Sequence, residues 1–69
     1  MNDDILKGKW MQLRGTIRKE WGKLTDDDMA IAEGSSEYLA GKVQERYGVA
    51  KDDAERQVKD FRDRIDQQY

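Results

Sequence analysis

The chain has no cysteine, no histidine and no proline. Without cysteine there is no disulfide framework and no thiol nucleophile. Without histidine, the commonest metal ligand and the side chain that ordinarily titrates near neutrality are both missing. Ordinary zinc sites and histidine-based acid–base chemistry are excluded with them. Missing proline means that no helix is broken by ring sterics. Large apolar carbon is scarce as well: Leu, Ile, Val and Phe supply only 12 of 69 residues, a share at which disorder becomes an option. The chain has no apolar run of membrane-span or signal-peptide length, and its start, MNDDILKGKW, is acidic. A soluble, cytoplasmic protein is expected.

What is plentiful is charge of both signs. Charged residues make up 41%, yet 13 basic against 15 acidic side chains leave a net charge of only −2. Self-repulsion is therefore weak. Sixty-nine residues make one domain at most. A domain of this size buries only about 60% of the surface its unfolded chain exposes. Intact apolar periodicity decides for a folded or conditionally folded helical domain.

That periodicity begins with Leu6, Trp10, Leu13, Ile17, Trp21 and Leu24, spaced by 4, 3, 4, 4 and 3. This is one face of a helix, and Gly22 is placed as its C′ residue. Thr25 reads as the N-cap of a short second helix over about Asp26–Glu33, with three aspartates facing the positive end of the helix dipole. Met29 and either Ile31 or Ala32 would pack, and Gly34 would end it. Ser35 or Ser36 would cap a third helix carrying Leu39, Val43 and Tyr47, stopped by Gly48. The fourth, from about Lys51, carries Ala54, Val58, Phe61 and Ile65. Its outer faces hold the i,i+4 pairs Asp52–Arg56, Glu55–Lys59 and Asp60–Arg64, read as a solvated, salt-laced surface. Tyr69 is assigned either to packing beneath Ile65 or to a frayed end.

EWGKLTDD at Glu20–Asp27 returns 26 residues later as RYGVAKDD at Arg46–Asp53. At that shift Gly8 meets Gly34, Leu13 meets Leu39, Gly15 meets Gly41, Ile17 meets Val43, Trp21 meets Tyr47 and Gly22 meets Gly48. A repeat of this length is a supersecondary unit that cannot bury its apolar face alone. The expected fold is therefore all-α: a small four-helix domain built from two duplicated helical hairpins. One domain spans 1–69, with repeat units at approximately 8–33 and 34–60. The structural signature is Gly15, Trp21 and Gly22 in one half, and Gly41, Tyr47 and Gly48 in the other.

EWGKLTDDD, AEG, LAGKVQERYG and KDDAE, in that order and separation, resemble the CsbD-like family of small bacterial stress-response proteins. The resemblance covers nearly the whole chain. It implies an all-α, four-helix fold based on duplication, and expression under general or osmotic stress in a bacterial cytoplasm. It carries over no catalytic residues. The chain departs from the family at Ser35–Ser36, where basic residues are common, which argues against a basic surface there.

The side chains themselves offer few chemical constellations. Asp26–Asp28 are consecutive, so on a helix they diverge by about 100° each and suit a helix start better than a calcium loop. The segment from Lys7 to Lys23 holds six cations against Glu20, a local charge of +5, together with Trp10 and Trp21. Lys7, Arg14 and Arg18 are the candidate contacts to nucleic acid or anionic lipid. The stronger reading makes both tryptophans core and the lysines and arginines ordinary surface. Gly8, Gly15 and Gly22 recur every seven residues behind the apolar stripe, and Gly41 lies behind Leu39 and Val43. Gly15 and Gly41 sit inside helices, where each costs about 1 kcal/mol relative to Ala. Close approach of another helix or a partner is the favoured reason, ahead of deliberately marginal helices or tolerated accidents.

No nucleophile–base pair is present among Thr16, Thr25, Ser35 and Ser36, and no small-molecule substrate, metal or cofactor is expected. The expected function is a non-catalytic general or osmotic stress-response protein. The alternative is an anionic-surface binding module using the basic first helix. A protein partner or self-association fits the glycine face better than nucleic acid or membrane.

Overall fold

The structure, a computed structural model, describes residues 4–68. Five helices and no strand occur among the described residues: α1 Asp4–Gly8, α2 Trp10–Glu20, α3 Asp26–Ala32, α4 Ser36–Tyr47 and α5 Lys51–Gln68. The all-α expectation agrees with this, but the count is five rather than four. The first expected helix is divided at Lys9, which takes φ −118° and ψ 18°. Helical hydrogen bonding continues through the break, from Lys9 N to Ile5 O at 3.0 Å and from Leu13 N to Lys9 O at 2.9 Å. The division is thus a kink beside Gly8, the kind of place where helices bend most easily. Tyr69 lies outside the described residues.

The apolar stripes converge on one core. Leu6, Leu13 and Ile17 from the first two helices meet Leu39 and Val43 of α4, and Ala54, Val58, Phe61 and Ile65 of α5, all buried. Each fully buried Leu, Ile, Val or Phe contributes roughly 1.5–3 kcal/mol relative to leaving it exposed. In α3 the core takes Met29 and Ala32, whereas Ile31 is 52% exposed. Residues two apart on a helix point about 200° from one another, so Met29 and Ile31 cannot both face inward. Ala40 is also buried, a core position that the apolar stripe of its helix did not announce.

The helix pairing is less even than two equal hairpins. α4 packs most extensively on α5, while α3 packs on α4, and α1 touches both α2 and α5. Trp21 binds the end of α2 to α5: its ring centroid lies 5.1 Å from that of Phe61, and Nε1 donates to Gln57 Oε1 at 3.0 Å. Arg64 on α5 pairs with Glu20. Trp10 Nε1 donates to Met29 O at 3.2 Å, joining α2 to α3.

The helix ends obey their cap residues in some places and not in others. Thr25 caps α3 as expected, and Ser35 caps α4 by accepting from Tyr38 N at 3.3 Å. Gly48 closes α4 in the left-handed region at φ 66°. Gly22 stands at C′ as expected, but without the left-handed conformation. Trp21 is the C-cap of α2 with φ −129°, and Gly22 is not among the residues with positive φ. At the end of α3 the left-handed residue is Glu33, at φ 47°, followed by Gly34 at φ 86°.

The salt lacing of α5 also differs from its i,i+4 reading. Arg56 pairs with Asp53 at 3.6 Å rather than with Asp52. Arg64 reaches across to Glu20 rather than down its own helix to Asp60. A cross-helix partner is available on that side, and an exposed i,i+4 pair stabilises too little to compete with it.

Candidate functional site

The most elaborate polar constellation centres on Asp28. Thr25 ends its extended stretch just before α3, and its Oγ1 accepts from Asp28 N at 3.1 Å. Asp28 Oδ2 in turn accepts from Thr25 N at 3.1 Å, which completes a capping box. The same carboxylate faces α4. Arg46 Nε donates to Oδ2 at 2.8 Å and Arg46 Nη2 donates to Oδ1 at 3.1 Å, a bidentate pair. Lys42 Nζ, one turn earlier on α4, stands 3.7 Å from Oδ1 and 3.4 Å from Glu45 Oε2.

Asp28 is only 2% exposed. Its hydrogen bond from Arg46, helped by those of the cap and opposed by burial, holds its pKa at about 2, below the ordinary 3.8. Arg46 is raised in return, first by that same bond. The carboxylate is therefore ionised throughout the neutral range, with its oxygens already occupied by Arg46, Lys42 and the Thr25 backbone. It can fasten α3 to α4. It is poorly suited to carrying protons or holding a cation.

Of the three aspartates read as one acidic helix start, the structure gives each a different setting. Asp26 pairs with Arg18 at 3.1 Å, Asp27 is exposed, and Asp28 is buried. Two signals in the sequence pointed to Asp28. Thr25 and Asp28 have capping-box spacing, and the 26-residue shift sets Asp28 against Ala54, a core position. Among the described residues, no group of three or more acidic side chains is arranged to hold a metal ion.

Of the candidate anion contacts, Arg14 and Arg18 are engaged by neighbouring side chains, whereas Lys7 is exposed and meets the fold through its backbone and the base of its side chain. Lys7, on α1, has its backbone against Gly34: a Cβ placed there would stand 2.8 Å from Lys7 Cα and 2.8 Å from Lys7 Cγ. Arg14 Nη1 leans on Met11 Sδ at 3.9 Å. Arg18 is matched by Asp26. Lys23, at the end of the basic segment, lies 5.1 Å from the centroid of the Tyr47 ring.

The signature residues divide into core and surface. Trp21 is buried, Tyr47 half-buried with its hydroxyl accepting from Lys23 N at 3.0 Å, and Gly22 and Gly48 exposed. Gly15 and Gly41 are exposed as well, and a Cβ at either would meet nothing within 4 Å. No helix among the described residues approaches them, so close approach within the described fold is not the reason for either glycine. The glycine where a Cβ has no room is Gly34, the expected helix stop. Nothing in the local sequence reports on Lys7, which comes to it from 27 positions away.

With this geometry in view, comparison with known proteins gives a consistent picture. A family model described as CsbD-like matches residues 4–56. The chain belongs to the CsbD-like family. Its relatives include UPF0337 protein PA4738 of Pseudomonas aeruginosa, 58% identical over 65 residues that cover 94% of this chain and 100% of that protein. UPF0337 protein XAC4007 of Xanthomonas axonopodis pv. citri is 56% identical over 61 residues, 88% of each chain. UPF0337 protein YjbJ of Escherichia coli (strain K12) is 53% identical over 64 residues, 93% of each. The CsbD-like match ends within α5, so it contains the whole Asp28–Arg46 clamp and the Gly34 crossing.

Proposed function

We propose that this CsbD-like protein is a non-catalytic stress-response protein of the bacterial cytoplasm, that it acts through its folded surface, and that its fold arose by duplicating one helical hairpin. Similarity to CsbD-like proteins along nearly the whole chain supports the stress role, and the 26-residue repeat supports the duplication. The observation that carries the non-catalytic part is the commitment of Asp28. Among the described residues it is the carboxylate with the clearly displaced pKa, and both of its oxygens are used to hold α3 on α4. Catalytic carboxylates are tuned toward the working pH and left free to exchange a proton, whereas this one is tuned away from it and tied down. No helix among the described residues is long and apolar enough to cross a membrane.

The test is survival after a sharp osmotic upshift. A strain lacking its own copy is complemented with the wild-type chain or with Val43→Asp, which places a charge at a fully buried core position. Wild type is expected to restore survival and Val43→Asp to fail. A deletion strain that survives as well as its parent would overturn the stress role. Full rescue by Val43→Asp, with unfolding verified on the purified protein, would overturn action through the folded surface.

A further inference from the structure

We propose that two copies of this chain associate, with the outer face of α2 on one copy docked antiparallel against the outer face of α4 on the other. Both faces are bare where they would meet. Gly15 and Gly41 are the equivalent positions of the two repeat halves, both exposed and both open to an incoming helix. Beside Gly41 runs an open groove of about 470 Å³, lined by Glu37, Tyr38, Gly41, Lys42 and Glu45. Tyr38 stands 56% exposed at its edge, and Met11, one turn before Gly15, is 75% exposed.

Charge identifies the occupant. Around Gly15, α2 presents Arg18 and Lys19, while its own Glu20 is taken by Arg64. Around Gly41, α4 presents Glu37, Lys42 and Glu45, of which Lys42 is turned to Asp28 and Glu45, leaving Glu37. Lys19 follows Gly15 by four residues and Glu37 precedes Gly41 by four. With the glycines opposed and the helices antiparallel, these two exposed charges meet, and neither is in an ion pair among the described residues. The helix dipoles also run in opposite directions. A parallel arrangement would instead oppose Lys19 to Glu45, which Lys42 already holds at 3.4 Å. One chain therefore carries both halves of a complementary contact. The two patches differ, so the contact either forms twice about a two-fold, α2 on α4 and α4 on α2, or forms once per copy and continues head to tail. A single helix-on-helix contact falls in the small, transient class of interfaces.

The test is sedimentation equilibrium with amide-resolved NMR at low salt, from about 50 µM to about 2 mM protein. The expected result is a weight-average mass rising above the 8.1 kDa monomer, with concentration-dependent shifts grouped around Gly15 and Gly41. Lys19→Glu should raise the dissociation constant about tenfold, because it sets like charges face to face. The double variant Lys19→Glu, Glu37→Lys should recover it. Gly41→Leu, whose side chain enters open space in the monomer, should weaken association about tenfold while leaving the melting temperature no lower. A chain that stays at monomer mass with unmoving amides at the highest concentration overturns the proposal. So does association that Lys19→Glu and Gly41→Leu leave unchanged. Failure of the double variant to recover overturns the antiparallel pairing.

Discussion

Trp21 and Tyr47 occupy the same place in the two halves, 26 residues apart, and serve differently. Trp21 is 3% exposed, against Phe61 and bonded to Gln57. Tyr47 is half-buried and uses its hydroxyl to receive the backbone of Lys23, the residue just past the first half's own stop. The glycine that follows each aromatic diverges too: Gly48 is left-handed and Gly22 is not. Glu20 and Arg46, equivalent and opposite in charge, both pair across helices, with Arg64 and Asp28 respectively. The repeated sequence thus supplies matched positions around one shared core, and single-residue differences decide what each position does there.

The difference between Gly8 and Gly34 offers the strongest way to break this comparison. Gly34→Ala would place a Cβ 2.8 Å from the Lys7 backbone at φ 86°, and we expect a loss of about 3 kcal/mol or more, read as a large fall in melting temperature. Gly8→Ala at the equivalent position, where nothing lies within 4 Å, should be neutral or stabilising. Equal effects at both sites would mean that Gly34 is not a crossing point.

Next in size is the clamp between Asp28 of the first half and Arg46 of the second, which has no shifted counterpart, since Ala54 stands where the first half has Asp28. Asp28→Asn should cost about 2–3 kcal/mol near neutral pH, where it leaves Arg46 without its anion and weakens the cap. The pH dependence has a definite sign. The folded pKa of about 2 lies below the ordinary 3.8, so the stabilisation is present in full above the ordinary value and is lost as pH falls toward 2. The gap between wild type and Asp28→Asn in denaturant melts should therefore be widest at neutral pH and shrink in acid. A gap that grows in acid would contradict the assignment.

Much of this was legible beforehand and some was not. The apolar stripes at helical spacing marked Leu6, Leu13, Ile17, Leu39, Val43, Val58, Phe61 and Ile65, all of which are buried. Caps at Thr25 and Ser35 were readable because a cap is a local bond between near neighbours. The kink at Lys9, the Arg64–Glu20 pair and the Gly34 crossing were not. Each depends on where a distant segment arrives, and no periodicity within one helix encodes that. Asp28 falls between these cases: its cap was written locally, but its partner Arg46 lies 18 residues on.

Two smaller effects sharpen the contrast between the halves. Gly48→Ala should lose about 1 kcal/mol, because L residues are disfavoured in the left-handed region. Gly22→Ala, whose Cβ would rest 3.8 Å from Arg18 O, should change stability by less than about 0.5 kcal/mol. Thermal melts of the two variants side by side decide it. Smallest is a gain: Gly15→Ala and Gly41→Ala should each stabilise the monomer, by at most about 1 kcal/mol, when melted at low concentration. A loss at either site would show that its missing Cβ matters inside the monomer after all.

The meeting of Lys7 with Gly34 also sets an order of assembly. α3, α4 and α5 pair with sequence neighbours, so they close short loops and can form early. α1 must come back over 27 positions to reach a corner that exists only once α3 has ended and α4 has begun. It is the clasp that shuts last and springs first. Proteases that cut after lysine should therefore find Lys7 and Lys9 before any other site, long before the α4–α5 pair gives way.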